Sequence, residues 1–194
     1  MNIFVLHENP IIAARLMYDK HVTKMPLEAS QMLAMPIRLQ LGMPGWLIRT
    51  STGQMTPYDL TLLEEQEDDQ LIPLLSRRHL NHPCSKWTRE SRENFNWLLS
   101  HAYELCNISS RRSGKESKVY TYLVRCEMWA DSLQFPNRGL TPFANATGSV
   151  VSNGIVETYR GYYRTKKTHL ASYSGKKMTI DEKLKVIMSS KSHL

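Results

Sequence analysis

The sequence predicts a mainly α-helical fold: a multi-helix domain with a short N-terminal strand and long loops. Three observations point there. Proline stands at helix-start positions, apolar residues recur at spacings of three and four, and the stretches rich in glycine and proline have no periodicity. The chain has 194 residues, 41% of them apolar, which suits one domain around one sizeable core.

Residues 2–6 are β-branched, aromatic and apolar and read as a short strand. Asn9-Pro10 opens a first helix, with Asn as the N-cap and Pro at the first helical position. Ile11, Ile12, Leu16 and Met17 give its apolar face. Residues 19–25 read as a polar junction, and Pro26 as the start of a second helix. Leu27, Met32, Leu33 and Ile37 continue an apolar face that Pro36 should kink or end. Residues 42–58 combine Gly, Pro, Ser and Thr and read as a loop. A short helix is expected over 60–75, interrupted near Pro73.

The clearest helix spans 83–106, where Trp87, Ser91, Asn94, Leu98, His101 and Leu105 form one stripe. Gly114 separates it from a helix over 116–133 that turns Val119, Leu123, Cys126 and Trp129 inward. Residues 134–153 read as a long loop. Residues 154–167 read as a helix with Ile155, Tyr159 and Tyr162 or Tyr163 on one side. Thr179-Ile180-Asp181-Glu182 fits a capping box that opens a last short helix. The expected division is a helical catalytic or binding domain over 1–168 and a basic tail with a short helix over 169–194.

Composition removes several classes. No apolar run approaches the roughly 20 residues of a membrane span. The first residues lack the basic segment and apolar length of a signal peptide, so a cytoplasmic protein without a membrane partner is expected. Cys84, Cys106 and Cys126 are widely spaced and odd in number, which argues for buried thiols over a disulfide framework or a zinc ribbon. No P-loop, dinucleotide fingerprint, HExxH motif, paired Cys/His set or GxSxG elbow occurs, so no metal and no cofactor is expected. The net charge is +7. Residues 63–70 form an acidic run, whereas residues 151–194 hold nine Lys/Arg against three Asp/Glu. Such a basic end suits a polyanion such as nucleic acid, or simply a basic soluble protein.

Two expected helix starts reverse the usual charge order. A helix N-terminus carries partial positive charge and favours acidic residues. Yet Lys20, His21 and Lys24 precede Pro26, while His82, Lys86 and Arg89 surround Pro83. An anion would make that arrangement favourable, because free backbone N–H groups and flanking cations form a phosphate-binding geometry. The alternative is two solvated turns with incidental charges. Glu28 and Gln31 follow Lys24 at spacings of four and three and share its face. Glu28 then reads either as a general base or as half of a structural ion pair. Ser91, Asn94 and His101 interrupt the stripe after Trp87, so they pair with one another or face a pocket. Arg111, Arg112, Lys115 and Lys118 cluster around Gly114, and Tyr159-Arg160-Gly161-Tyr162-Tyr163-Arg164 interleaves aromatics with arginines. Both patterns suit nucleic-acid contact, and both also describe ordinary helices with a charged outer face.

These residues carry a resemblance. Asn2-Ile3-Phe4-Val5-Leu6, Pro10, Ala13-Ala14, Asp19-Lys20-His21-Val22, Lys24-Met25, Glu28 and Gln31-Met32-Leu33 form one block. Asn81-His82-Pro83, Lys86-Trp87, Arg89, Ser91, Asn94 and Trp97-Leu98 form another, followed by Thr141-Pro142-Phe143-Ala144 and Tyr159-Arg160 with Tyr162-Tyr163. Together they resemble a family of small phage-encoded proteins, the amino acid:DNA transferases of thymidine hypermodification. The resemblance covers most of residues 2–167 and implies work in the host cytoplasm during infection. It implies that an amino acid nitrogen replaces pyrophosphate on a hydroxymethyluracil base in duplex DNA. By this resemblance, Lys20, His21, Lys24, Lys86 and Arg89 hold the pyrophosphate, and Glu28 or neutral His82 takes the proton. Gln31 and Asn94, with Ser91 nearby, orient the base or the amino acid, and Trp87 or Phe143 supports the extruded base. Two other readings stand beside it. One is a glycosylase- or lyase-like enzyme with Lys20 or Lys24 as an amine nucleophile. The other is a non-enzymatic effector that binds a nucleotide, nucleic acid or a host protein.

Overall fold

The computed structural model describes residues 1–42 and 79–190, together with the backbone of 46–49, 55–57 and 75–78. It is mainly helical, as the sequence predicts. Helix α1 is Pro10–Arg15, capped by the Asn9 side chain, which accepts from the Ile11 and Ile12 N–H groups. Helix α2 is Asp19–Leu41 and runs straight through Pro26 and Pro36, ending at Gly42 with φ +68°. The expected start at Pro26 is therefore corrected by seven residues. A proline inside a helix costs about 3 kcal/mol. Burying one Met or Leu side chain returns roughly 1.5–3 kcal/mol, and α2 buries Val22, Met25, Met32, Leu33 and Ile37 along its length.

Short strands occupy part of the stretch expected as a loop. β1 (Trp46–Arg49) pairs antiparallel with β2 (Met55–Pro57) and parallel with β3 (Leu75–Ser76). The helix expected over 60–75 falls outside the described residues, except that Leu75 lies in β3. A 3-10 helix, Arg77–Asn81, leads into α3 (Pro83–Thr88). Helix α4 is Arg92–Ser113 and α5 is Lys118–Ala130. The single helix expected over 83–106 is thus two. Ser91 breaks it by acting as N-cap of α4, its Oγ accepting from the Asn94 N–H at 3.1 Å. The loop expected over 134–153 is present. Helix α6 is Ile155–Lys166. A hairpin, β4 (Ser172–Tyr173) with β5 (Lys176–Lys177), precedes α7 (Ile180–Ser190), which opens with the expected Thr179/Glu182 capping box.

α2 packs across α4 and α5, and α1 lies on α4. The segment expected as an N-terminal strand has no ladder partner among the described residues. It enters the core instead, with Ile3, Phe4, Val5 and Leu6 buried. The expected tail also contributes to that core: Tyr173 and Ile180 are buried in the same apolar cluster. The Tyr173 hydroxyl donates to the Leu16 carbonyl at 2.7 Å, and Tyr18 lies between the Tyr163 and Tyr173 rings.

Candidate functional site

The first turns of α2 lie against the chain start and α6. His21 is buried, stacks on Phe4 with ring centroids 4.6 Å apart, and shares a 2.5 Å hydrogen bond between Nδ1 and the Tyr163 hydroxyl. Burial, with the charges of Lys167 and Lys24 adding, depresses its pKa to about 4, so the ring is neutral at pH 7. Glu28 lies seven residues further on the same face, two helical turns or about 10 Å along the axis. Its carboxylate is half-buried. Oε1 takes the Lys24 ammonium at 2.8 Å, and Oε2 accepts from the Asn2 N–H at 3.1 Å with the Met1 ammonium 3.7 Å away. Asn2 in turn donates from Nδ2 to the Ala146 carbonyl, which ties the long loop to this corner.

His82 approaches from the other side. It is the N-cap of α3, its Nδ1 accepting from the Cys84 N–H at 3.2 Å, which leaves the proton of the neutral ring on Nε2. Burial lowers its pKa, helped by the positive charges of the chain amine and His79, while Glu28 pulls the other way. The Glu28 charge acts on His21 and His82 alike. The structure thus places Lys24, the Asn2 N–H and the Met1 ammonium on the Glu28 carboxylate, with His21 and His82 within range of its charge. It adds His79, whose pKa burial also lowers and whose buried Nδ1 has no partner among the described residues. Sequence reasoning missed His79, although the His79/His82 spacing before Pro83 was a visible signal. Gln31 is half-buried one turn beyond Glu28.

Several expected site residues are frame instead. Arg89 donates from Nη1 to the Leu80 and Ser85 carbonyls at 2.8 and 3.2 Å, pinning the 3-10 helix to α3, so it is not placed as a phosphate ligand. Trp87 is 1% exposed and donates from Nε1 to the Thr141 carbonyl. Phe143 packs on Trp87 and Trp97 with centroids 5.3 and 5.1 Å apart. Asn94 donates to the Trp87 carbonyl (2.7 Å) and the Thr141 hydroxyl (2.6 Å) and accepts from the Thr141 N–H (2.9 Å). These groups bind the long loop to α3 and α4, and Ser91 is a cap. Lys20 and Lys86 are exposed and form no part of the Glu28 cluster among the described residues. His101 is a core histidine, stacked on Trp97 with Nδ1 on the Pro10 carbonyl.

The reversed charge at the α2 start also disappears. Asp19 occupies the first turn, and its carboxylate accepts from the Ser174 and Gly175 N–H groups and the Ser172 hydroxyl. Those bonds and Arg112 at 2.7 Å outweigh burial and hold the Asp19 pKa low. Of the residues expected to meet nucleic acid, Arg160 donates to the Leu6 carbonyl, and Arg164 pairs with Asp181 and Glu157. Tyr159 and Tyr163 are fully buried, so the Tyr/Arg run is a core face with structural ion pairs. Arg111 reaches Glu104 at 3.3 Å but remains 65% exposed, and Lys115 and Lys118 are exposed.

Among the described residues, no group of three or more His, Cys, Asp or Glu is placed to hold a metal ion, and no helix is long and apolar enough to cross a membrane. No protein-family model, no curated protein and no solved structure matches this chain.

Proposed function

We propose that this chain is a DNA base-modifying transferase of the amino acid:DNA kind its sequence resembles, with Glu28 as the centre of its acid–base chemistry. One observation carries the reading: a half-buried carboxylate, Glu28, holds the exposed Lys24 ammonium at 2.8 Å and the Asn2 N–H at 3.1 Å. Displacing pyrophosphate by an amino acid nitrogen needs a proton acceptor for the amine and a positive field for the leaving group. Glu28 supplies the acceptor. The cap at Cys84 commits His82 Nδ1, so His82 serves through its Nε2–H, as a donor to the departing oxygen rather than as the base. Lys24, 70% exposed beside Glu28, supplies positive charge there. DNA and an amino acid are the substrates of this proposal, and the net charge of +7 suits the first of them.

Pyrophosphorylated hydroxymethyluracil DNA is incubated with the protein and each amino acid, then digested to nucleosides for mass spectrometry. One amino acid should yield a heavier nucleoside, and Glu28→Gln should abolish it. An unchanged nucleoside profile with every amino acid refutes the proposal. The placement of Trp87, Asn94, Phe143 and Arg89 in the frame favours, as a second reading, a binder without turnover. That protein binds the same DNA and leaves its nucleosides unchanged.

A further inference from the structure

A second feature lies away from Glu28, around the C-terminal end of α4. Three open clefts meet there. The central one, about 310 Å³, is lined by Arg15, Arg111, Arg112 and Lys183 over an apolar floor of Ile108 and Ile187. Arg112 and Ser174 are also walls of a cleft of about 460 Å³ that reaches Asp19 and Thr23 at the start of α2. Arg111 is also a wall of one of about 550 Å³ that continues past Gly114 to Lys115, Glu116 and Tyr120. Shared walls make the three a single trough. Its sides come from α1, α2, α4, the β4–β5 turn and α7, elements far apart in the chain.

The trough holds five Lys and Arg side chains against the carboxylates of Asp19, Glu116 and, behind the wall, Glu104. Arg15 and Arg111 share one partner, Glu104, at 2.8 and 3.3 Å, and Arg112 has Asp19. Glu104 is 8% exposed, whereas the Arg15 and Arg111 side chains are 47% and 65% exposed. The carboxylate sits behind the wall and the guanidinium faces look into the opening. Lys183 lies over the Tyr173 ring, 5.3 Å from its centroid, and Lys115 is exposed. The Arg15 and Arg111 guanidinium groups each carry donors beyond the one that Glu104 takes, so they can accept a second anion from the open side. Guanidinium groups in a row grip phosphates bidentately, and an aromatic ring at the end of the row offers a face for one base.

We propose that this trough binds the backbone of a single nucleic-acid strand, with phosphates on Arg112, Arg15, Lys183, Arg111 and Lys115 and a base against Tyr120. The inference rests on the nucleic-acid reading above, yet its site shares no residue with the Glu28 cluster. It brings in Arg15 and Lys183, which sequence reasoning did not single out, and leaves out Arg160 and Arg164, which are spent on internal bonds.

The test is fluorescence anisotropy of a labelled single-stranded oligonucleotide across a salt series. At about −0.7 per phosphate neutralised, four or five contacts give a slope of log K against log salt near −3. Lys115→Gln and Lys183→Gln, neither of which removes an ion pair seen here, should each reduce that slope by about 0.7. Lys166→Gln removes the same charge at the exposed end of α6 and should leave the slope unchanged. Equal slopes for all four proteins, or an equal drop with Lys166→Gln, overturn the proposal. A normal slope in the Glu28→Gln protein alongside lost nucleoside conversion separates the two sites. Intact nucleoside conversion with no response to Lys115→Gln or Lys183→Gln refutes the trough alone.

Discussion

Replacing Asn94 with alanine should destabilise the protein by about 4 kcal/mol, although the sequence leaves open whether the residue pairs with its neighbours or faces a pocket. The buried side chain makes three hydrogen bonds, one buried to the Trp87 carbonyl and two part-buried to the Thr141 hydroxyl and N–H. Alanine deletes all three. The Trp87 carbonyl still accepts from the Glu90 N–H, and the Thr141 hydroxyl still donates to Glu90 Oε2. Those two losses cost about 1 kcal/mol each. The half-buried Thr141 N–H is left without its acceptor, which costs about 1–3 kcal/mol. The total moves the unfolding equilibrium by between two and three orders of magnitude, at about 1.4 kcal/mol per decade. Urea unfolding followed by far-ultraviolet circular dichroism measures it as a lower midpoint at an unchanged slope. A loss below about 0.5 kcal/mol, the level of an ordinary surface substitution, refutes the idea that Asn94 anchors the long loop.

Two further outcomes follow from the same geometry. Arg89→Lys keeps the charge but shortens the side chain and removes the Nη1 that meets both carbonyls, so it should cost about 1–2 kcal/mol in urea and leave oligonucleotide binding unchanged. Weakened oligonucleotide binding at wild-type stability would restore Arg89 as a phosphate ligand. Burial holds both His21 and His101 down to about 4, against 6.5 in the unfolded chain. The unfolded state therefore binds more protons between those values. Stability is complete above about pH 6.5 and falls as the pH drops towards 4. His101→Gln should flatten the stability–pH slope in that window by up to one proton, and an unaltered slope counts against the assignment.

Local patterns found most of the helices and the Lys24–Glu28 pair. The stripe through Trp87, Asn94, Leu98 and Leu105 is buried as its spacing implies, and the Asn9 and Thr179 caps stand where those residue types place them. The break at Ser91 was hidden, because a cap between two short-range stripes preserves the spacing of three and four. Pro26 misled for the opposite reason: a strong local preference yielded to burial along both flanks of α2. The apolar composition of residues 2–6 does not distinguish a strand from an extended segment threaded into a core. The β4–β5 turn had its signal in Ser174-Gly175. Glu28 was legible from its spacing to Lys24, but Asn2 as its partner was not. Likewise Asn94 stood out as a polar group in an apolar stripe. Whether it faced a pocket or a partner depended on Thr141, 47 residues away.

The contact between the first and last quarters of the chain bears on how the protein is made. Tyr173 closes on Leu16 across 157 residues, and Ser172 on Asp19 across 153. At roughly 5–20 residues per second, a ribosome takes about 8–30 s to deliver those partners. During that interval Tyr18, Phe4 and His21 wait without the rings that cover them. The nascent chain therefore presents an aromatic surface that only its own late segment can close, and slowing or pausing synthesis after residue 168 should lengthen its exposure to chaperones in proportion.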